Sequence, residues 1–235
     1  MSEENEGVAE AEGGGAEVVP PGGPQLELAP QAGPDDVDAA VELENRGRTS
    51  AAYSSLRGIV TREPRNAKAR AALAKMLVKR GDMGGALDEL NHAIETLPDD
   101  VELLCARASL LAARGKYDQA ELDLRRAAKS PGASAEVQVQ LGMLFSKRAR
   151  WREAIEPLLA AVSAEPLRAD AHYHLGEAYN HIDDLKAALA SYETASSLQP
   201  AHLRALKGIG IVLDRLGRPQ DAAAAYRRAR EAQLK

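Results

Sequence analysis

His174, Glu177 and His181 lie three and four residues apart, a spacing that sets them on one face of a helix, with His172 and His202 nearby in sequence. Imidazole and carboxylate groups so arranged could hold a divalent cation. The two outer histidines would nevertheless stand about 10 Å apart along the helix axis, which favours a polar contact surface, and no metal or cofactor is expected. Cys105, two residues from Arg107, suggests a thiolate nucleophile, but a small cysteine on closely packed helices is ordinarily a packing residue. The chain has no glycine-rich phosphate loop, no nucleophile with a plausible base and no paired carboxylates placed for a pocket, so a non-enzyme is expected. Phosphate binding is the third chemistry, through Arg125–Arg126, Lys147–Arg148 with Arg150 and Arg152, and Arg227–Arg228 with Arg230. These cations are interleaved with acids on several faces, and one Phe and one Trp give no stacking platform. Nucleic-acid association therefore stands only as the alternative.

The elements that carry these side chains follow a fixed period. Gly47, Gly81, Gly115, Ala149, Asp183 and Gly217 recur every 34 residues, as do Ala52, Ala86, Ala120, Ala154, Ala188 and Ala222. Units of this period begin at residues 33, 67, 101, 135, 169 and 203, the last unit ending at 235. Eight places into each stands a small residue, Ala40, Ala74, Ala108, Gly142, Gly176 or Gly210. Three residues later comes a large one: Leu43, Leu77, Leu111, Phe145, Tyr179 or Leu213. Four after the alanine column come Leu56, Leu90, Leu124, Leu158, Tyr192 and Tyr226. Steps of three, four and seven mark two amphipathic helices per unit. The glycine column closes the first helix in a positive-φ turn, so Ala149 predicts a locally different turn, while Asp183 can adopt that conformation. Pro64, Pro98, Pro131, Pro166 and Pro200 stop the second helix. Arg107 falls in a column otherwise held by Leu73, Leu141, Leu175 and Ile209; the preferred expectation is a packed stem with its head at the surface, against a buried ion pair.

This pattern resembles the tetratricopeptide repeat family over residues 33–235, weakly in the first unit. The resemblance implies an all-α, right-handed α-solenoid superhelix of about six 34-residue helix-turn-helix repeats, with units 33–66 (a degenerate cap), 67–100, 101–134, 135–168, 169–202 and 203–235. It also implies that the first helix of each pair lines a concave groove. On that geometry the partner-binding groove is lined by Lys68, Lys75, Lys79, Cys105, Ser109, Val139, Gln140, Met143, Lys147, Tyr173, His174, Glu177, Asn180, His181, Lys207 and Ile211. The groove would be basic at its N-terminal end, small and apolar in the middle and mixed at its C-terminal end, suited to an acidic or amphipathic protein segment. The lysine and asparagine set with which some family members hold chaperone C-termini is incomplete, since Ala71 and Ala72 lie between Lys68 and Lys75. The implied function is a non-enzymatic adaptor, scaffold or assembly factor with protein partners.

Composition changes before the repeats. Residues 1–44 contain twelve acidic and no basic residues, whereas all 30 Lys and Arg follow, so an acidic arm precedes a body of net +7. Residues 1–32, rich in Gly and Pro, are predicted to be a disordered tail. Leu26-Glu27-Leu28 is a candidate for folding back on the groove. Met1 to Pro30 lacks the basic start and apolar run of a secretory signal, and no stretch approaches the ~20 apolar residues of a membrane span; a cytoplasmic location is expected. The last unit's outer face, around Ile209, Leu213, Tyr226 and Ala229, is expected to be open to self-association or a partner.

Overall fold

The glycine column explains how each hairpin reverses. In the computed structural model, which describes residues 37–131 and 133–234, Gly47, Gly81, Gly115 and Gly217 take φ between 70 and 83°. The residue after each donates its backbone N–H to the carbonyl of the large residue four places before the glycine. These bonds, such as Asp82 to Leu77 and Lys116 to Leu111, are 2.8–2.9 Å long and close the first helix in a left-handed cap. Ala149 corrects the expectation of a different turn: it takes φ 55°, and Arg150 N–H donates to Phe145 O at 2.9 Å. Asp183 does likewise at φ 72°. The ladder of closing bonds therefore imposes the turn even where a Cβ opposes it. A left-handed residue with a side chain costs about 1–2 kcal/mol, so Ala149→Gly is expected to raise stability by about 1 kcal/mol in urea unfolding.

Twelve helices and no strand are present among the described residues: α1 Val37–Asn45, α2 Thr49–Arg62, α3 Ala67–Lys79, α4 Met83–Thr96, α5 Val101–Ala113, α6 Tyr117–Lys129, α7 Ala135–Lys147, α8 Trp151–Ala164, α9 Ala169–His181, α10 Leu185–Leu198, α11 Leu203–Arg215 and α12 Pro219–Gln233. The chain is thus an all-α solenoid of helical hairpins. The five prolines each fall two residues beyond the end of a second helix. Side-chain caps start several first helices: Asn66 accepts from Ala69 N–H, and Asp100 from Leu103 N–H, both at 2.9 Å.

Packing follows the columns. The alanines from Ala52 to Ala222 are 0–1% exposed, letting each second helix lie close against its own first helix. Leu56, Leu90, Leu124, Leu158 and Tyr192 are buried beside them. Each second helix also packs on the following first helix. First helices meet one another directly, α1 with α3, α5 with α7, α7 with α9 and α9 with α11, while no pair of second helices touches as closely. The first helices therefore line one side of the stack, with α3 and α5 joined there by the Lys75–Glu102 ion pair. Residues 1–36, including the expected tail and its Leu26-Glu27-Leu28 segment, lie outside the described residues.

Arg107 is tied down as an ion pair and only partly reaches the surface, its side chain 21% exposed. Its Nε and Nη2 donate to the two carboxylate oxygens of Asp123 at 2.8 and 2.7 Å, and its Nη1 donates to Asn91 Oδ1 at 3.0 Å. Asp123 is only 4% exposed. One repeat earlier Glu89 holds the place of Asp123 but pairs with Arg70 opposite apolar Leu73; here the half-buried guanidinium of Arg107 takes the α6 acid and ties α4, α5 and α6 together.

The expectation of an open apolar face on the last unit is also corrected. Ile209, Leu213 and Ala229 are buried between the last two hairpins, and half-buried Tyr226 donates its hydroxyl to Asp214 Oδ2 at 2.9 Å. Among the described residues no helix is long and apolar enough to cross a membrane.

Candidate functional site

The wall of first helices begins with three lysines on α3. Lys68 reaches Asp38 at 2.9 Å and Lys79 reaches Glu44 at 2.5 Å, both on α1, while Lys75 reaches Glu102 on α5 at 2.6 Å. Each exposed ammonium thus spans neighbouring first helices and is neutralised across the groove. Beneath them lies a concavity of about 400 Å³ floored by Val37, Val41, Ala71, Ala72 and Leu103. The expected basic end is a laced, charge-balanced rim over an apolar floor.

In the middle, α5 and α7 enclose a smaller pocket of about 120 Å³ lined by Ser109, Ala112, Gln140, Met143 and Lys147. Ser109 and Lys147 are exposed; Gln140 and Met143 are half-buried. Cys105 lies half-buried one turn before Ser109, and burial, then the nearby Glu136, Asp100 and Asp123 charges, push its thiol up to about 11. A thiol so raised stays protonated near neutral pH and is a poor nucleophile. Arg107, which could have favoured a thiolate, is committed to Asp123.

Val139 and Tyr173 are core side chains, 2% and 6% exposed. A first helix in this stack is covered on several sides, so only a narrow stripe of it reaches the groove. Tyr173 donates its hydroxyl to Glu177 Oε1 at 2.5 Å, and His174 Nδ1 lies 3.0 Å from Glu177 Oε2. Burial alone would raise the Glu177 carboxyl, but these hydrogen bonds outweigh it and hold the group below its usual range. Burial, followed by the bond to Glu177, pushes the Tyr173 phenol up. The guanidinium of Arg204 stands 5.3 Å from the Tyr173 ring centroid.

His181 points away from this cluster and stacks on Trp151, with ring centroids 3.7 Å apart and planes 3° from parallel. His202 caps α11, its Nδ1 accepting from Ala205 N–H at 3.1 Å, and burial lowers its pKa. The histidines are thus dispersed over three tasks. Among the described residues no three His, Cys, Asp or Glu side chains are grouped to hold a metal ion. Asn180 accepts hydrogen bonds from Arg215 through its side chain and backbone carbonyl. Lys207 and Ile211 lie exposed on α11, Ile211 at 46%.

Four arginines of the first two clusters are engaged with acids, whereas in the third Arg228 donates to Ser196 Oγ at 3.2 Å. Arg125 and Arg150 pair with Glu121 at 3.0 and 2.5 Å, Arg148 with Asp118 at 2.7 Å, and Arg126 with Asp99 at 2.8 Å. Arg125 and Arg150 also stand over the Phe145 ring, 5.5 and 4.6 Å from its centroid. Phosphates would have to displace these carboxylates.

Sequence reasoning missed three features: the Trp151–His181 stack, the Arg204 contact and the pairing of the α3 lysines. Their partners lie on different helices, and only the 34-residue step could have hinted at the alignment.

Tetratricopeptide repeat profiles match residues 45–110, 139–195 and 182–233. Among solved structures the chain is similar to MamA from Desulfovibrio magneticus RS-1, at 24% identity and TM-score 0.66 over 72% of this chain and 95% of that one. It is also similar to YrrB, described as a TPR protein with an unusual peptide-binding site, at 16% identity and TM-score 0.64 over 77% and 93%. Pseudomonas aeruginosa pilF aligns at 18% identity and TM-score 0.71 over 80% and 86%. These likenesses are ones of fold. A search of curated proteins finds no match.

Proposed function

The chain belongs to the tetratricopeptide repeat family, and on that basis we propose that it is a non-enzymatic cytoplasmic scaffold that binds a segment of a partner protein along its first-helix wall. Members of this family generally mediate protein–protein interaction. The observation that carries the reading is the shared face of α1, α3, α5, α7, α9 and α11, which offers apolar concavities at its N-terminal end and middle beside exposed polar side chains. Such a surface matches an extended or helical segment with apolar anchors. The peptide-binding site named for YrrB is compatible with it. Engagement of Arg125, Arg126, Arg148 and Arg150 by acids weighs against nucleic acid as the ligand.

A photo-crosslinking side chain at Ser109 or Lys207, on the wall, and at Leu122, 70% exposed on α6 of the outer layer, tests this in cell extract. Conjugates to the same protein are expected from both wall positions and none from Leu122. Conjugates only from Leu122, or equally from all three, would overturn the proposal.

A further inference from the structure

The turns of the stack are charged unevenly. The four that join α1 to α2, α3 to α4, α5 to α6 and α7 to α8, residues 46–48, 80–82, 114–116 and 148–150, hold seven cations and one acid, Asp82, and otherwise only glycines and Ala149. Their net +6 is nearly all of the +7 carried by residues 45–235. The turns at the other ends of the helices, where the prolines stand, carry Glu63, Asp99, Asp100 and Glu165 against Arg65 and Arg168. One edge of the stack is therefore basic. Beside the turns, Lys79 with Glu44 and Arg148 with Asp118 tie neighbouring repeats together. On this edge Arg46, Arg148 and Arg150 are held by Glu42, Asp118 and Glu121, and Arg80 stands over the Tyr53 ring, 4.3 Å from its centroid. Arg48, Arg114 and Lys116 are exposed and hold no acid among the described residues.

We propose that this edge rests on a membrane surface of anionic phospholipid, with headgroup phosphates meeting Arg48, Arg114 and Lys116 and no part of the chain inserted. A protein partner would need an apolar or aromatic centre to its interface, and the four turns offer none. A single nucleic-acid strand would need rings free to stack, but Tyr53 and Trp151 beside the turns already lie against Arg80 and His181, and Tyr117 packs on the core. A duplex holds its phosphates in fixed places and would have to displace Asp118 and Glu121. Lipids diffuse, so a bilayer brings its charges to cations wherever they stand, each worth about fivefold in affinity. The whole chain is net −5, so only a local patch can hold it to an anionic surface. The edge is made of helix ends, not of the first-helix wall, and membrane binding there is independent of a partner in the groove.

The test is cosedimentation of the full chain with vesicles of phosphatidylcholine alone and of phosphatidylcholine and phosphatidylglycerol in equal parts, at low salt. Binding to the charged vesicles and not to the neutral ones is expected, and it should fall as salt is raised. Arg48→Gln/Arg114→Gln/Lys116→Gln should weaken it about a hundredfold. Arg65→Gln/Lys129→Gln/Arg227→Gln removes the same charge away from the edge and should weaken it no more than about twofold. All six side chains are exposed and hold no acid among the described residues, so both variants should melt as the wild type does. No retention on charged vesicles, or equal loss in the two variants, would overturn the proposal. A DNA duplex retained more tightly than the charged vesicles, and lost in the edge variant, would also overturn it and assign the edge to nucleic acid.

Discussion

Arg107→Ala is expected to lower the free energy of unfolding by about 3 kcal/mol, the low end of what breaking a buried ion pair costs, because Asp123 is left at 4% exposure without its bidentate partner. The Arg107 side chain keeps 21% of its own exposure, and that solvent contact keeps the figure from rising further. Desolvation of the stranded carboxylate dominates over the lost attraction. Replacing both partners in Arg107→Met/Asp123→Leu should therefore recover most of the loss, which separates a desolvation penalty from a net contribution of the pair. In a stack whose stability is a sum of repeat and neighbour terms, weakening α5 and α6 should also split the single denaturation step. Urea unfolding followed by circular dichroism reads both the midpoint and the shape. An unchanged midpoint in Arg107→Ala would show the pair to be idle.

Gly176→Ala is expected to destabilise by about 1 kcal/mol. A Cβ there would stand 2.7 Å from Cδ1 of Tyr192, and one on Gly208 would stand 2.7 Å from Cζ of the same ring. The tyrosine lies between glycines of successive first helices and has nowhere to move. The clash, about 1–3 kcal/mol, outweighs the roughly 1 kcal/mol that alanine gains over glycine within a helix. The second hairpin shows the alternative solution, Ala74 with Leu90, both 2% exposed. Gly176→Ala/Tyr192→Leu should accordingly be more stable than the two single losses added together, by about 1 kcal/mol in a thermal-unfolding cycle. Gly210→Ala should cost less, since its neighbour Tyr226 is only half-buried.

These two sites mark where the sequence is readable and where it stops. The small and large columns announce the hairpins, their turns and their close packing, because a 34-residue period repeats the same contact. Arg107 breaks its column, and a break is compatible with two outcomes until the residue opposite is known. Only the structure brings Asp123, sixteen positions away, into place. Groove residues were legible as a helix face but not as exposed atoms. Val139 and Tyr173 share that face and are still covered, Tyr173 by Tyr192 and His202 with centroids 5.9 and 5.0 Å from its own. The neutralised lysines escaped for the same reason, since Lys75 and Lys79 find acids 27 and 35 positions distant.

Trp151 is the chain's sole tryptophan, and it sits face to face with His181 across the seam between α8 and α9. Its emission therefore belongs to one joint of the solenoid. Loosening of that joint, by heat or by a partner wedged along the wall, would register as an optical change, while fraying at either end of the stack would leave the signal dark. The fold thus contains a native gauge of strain at one place along its length, with no label required.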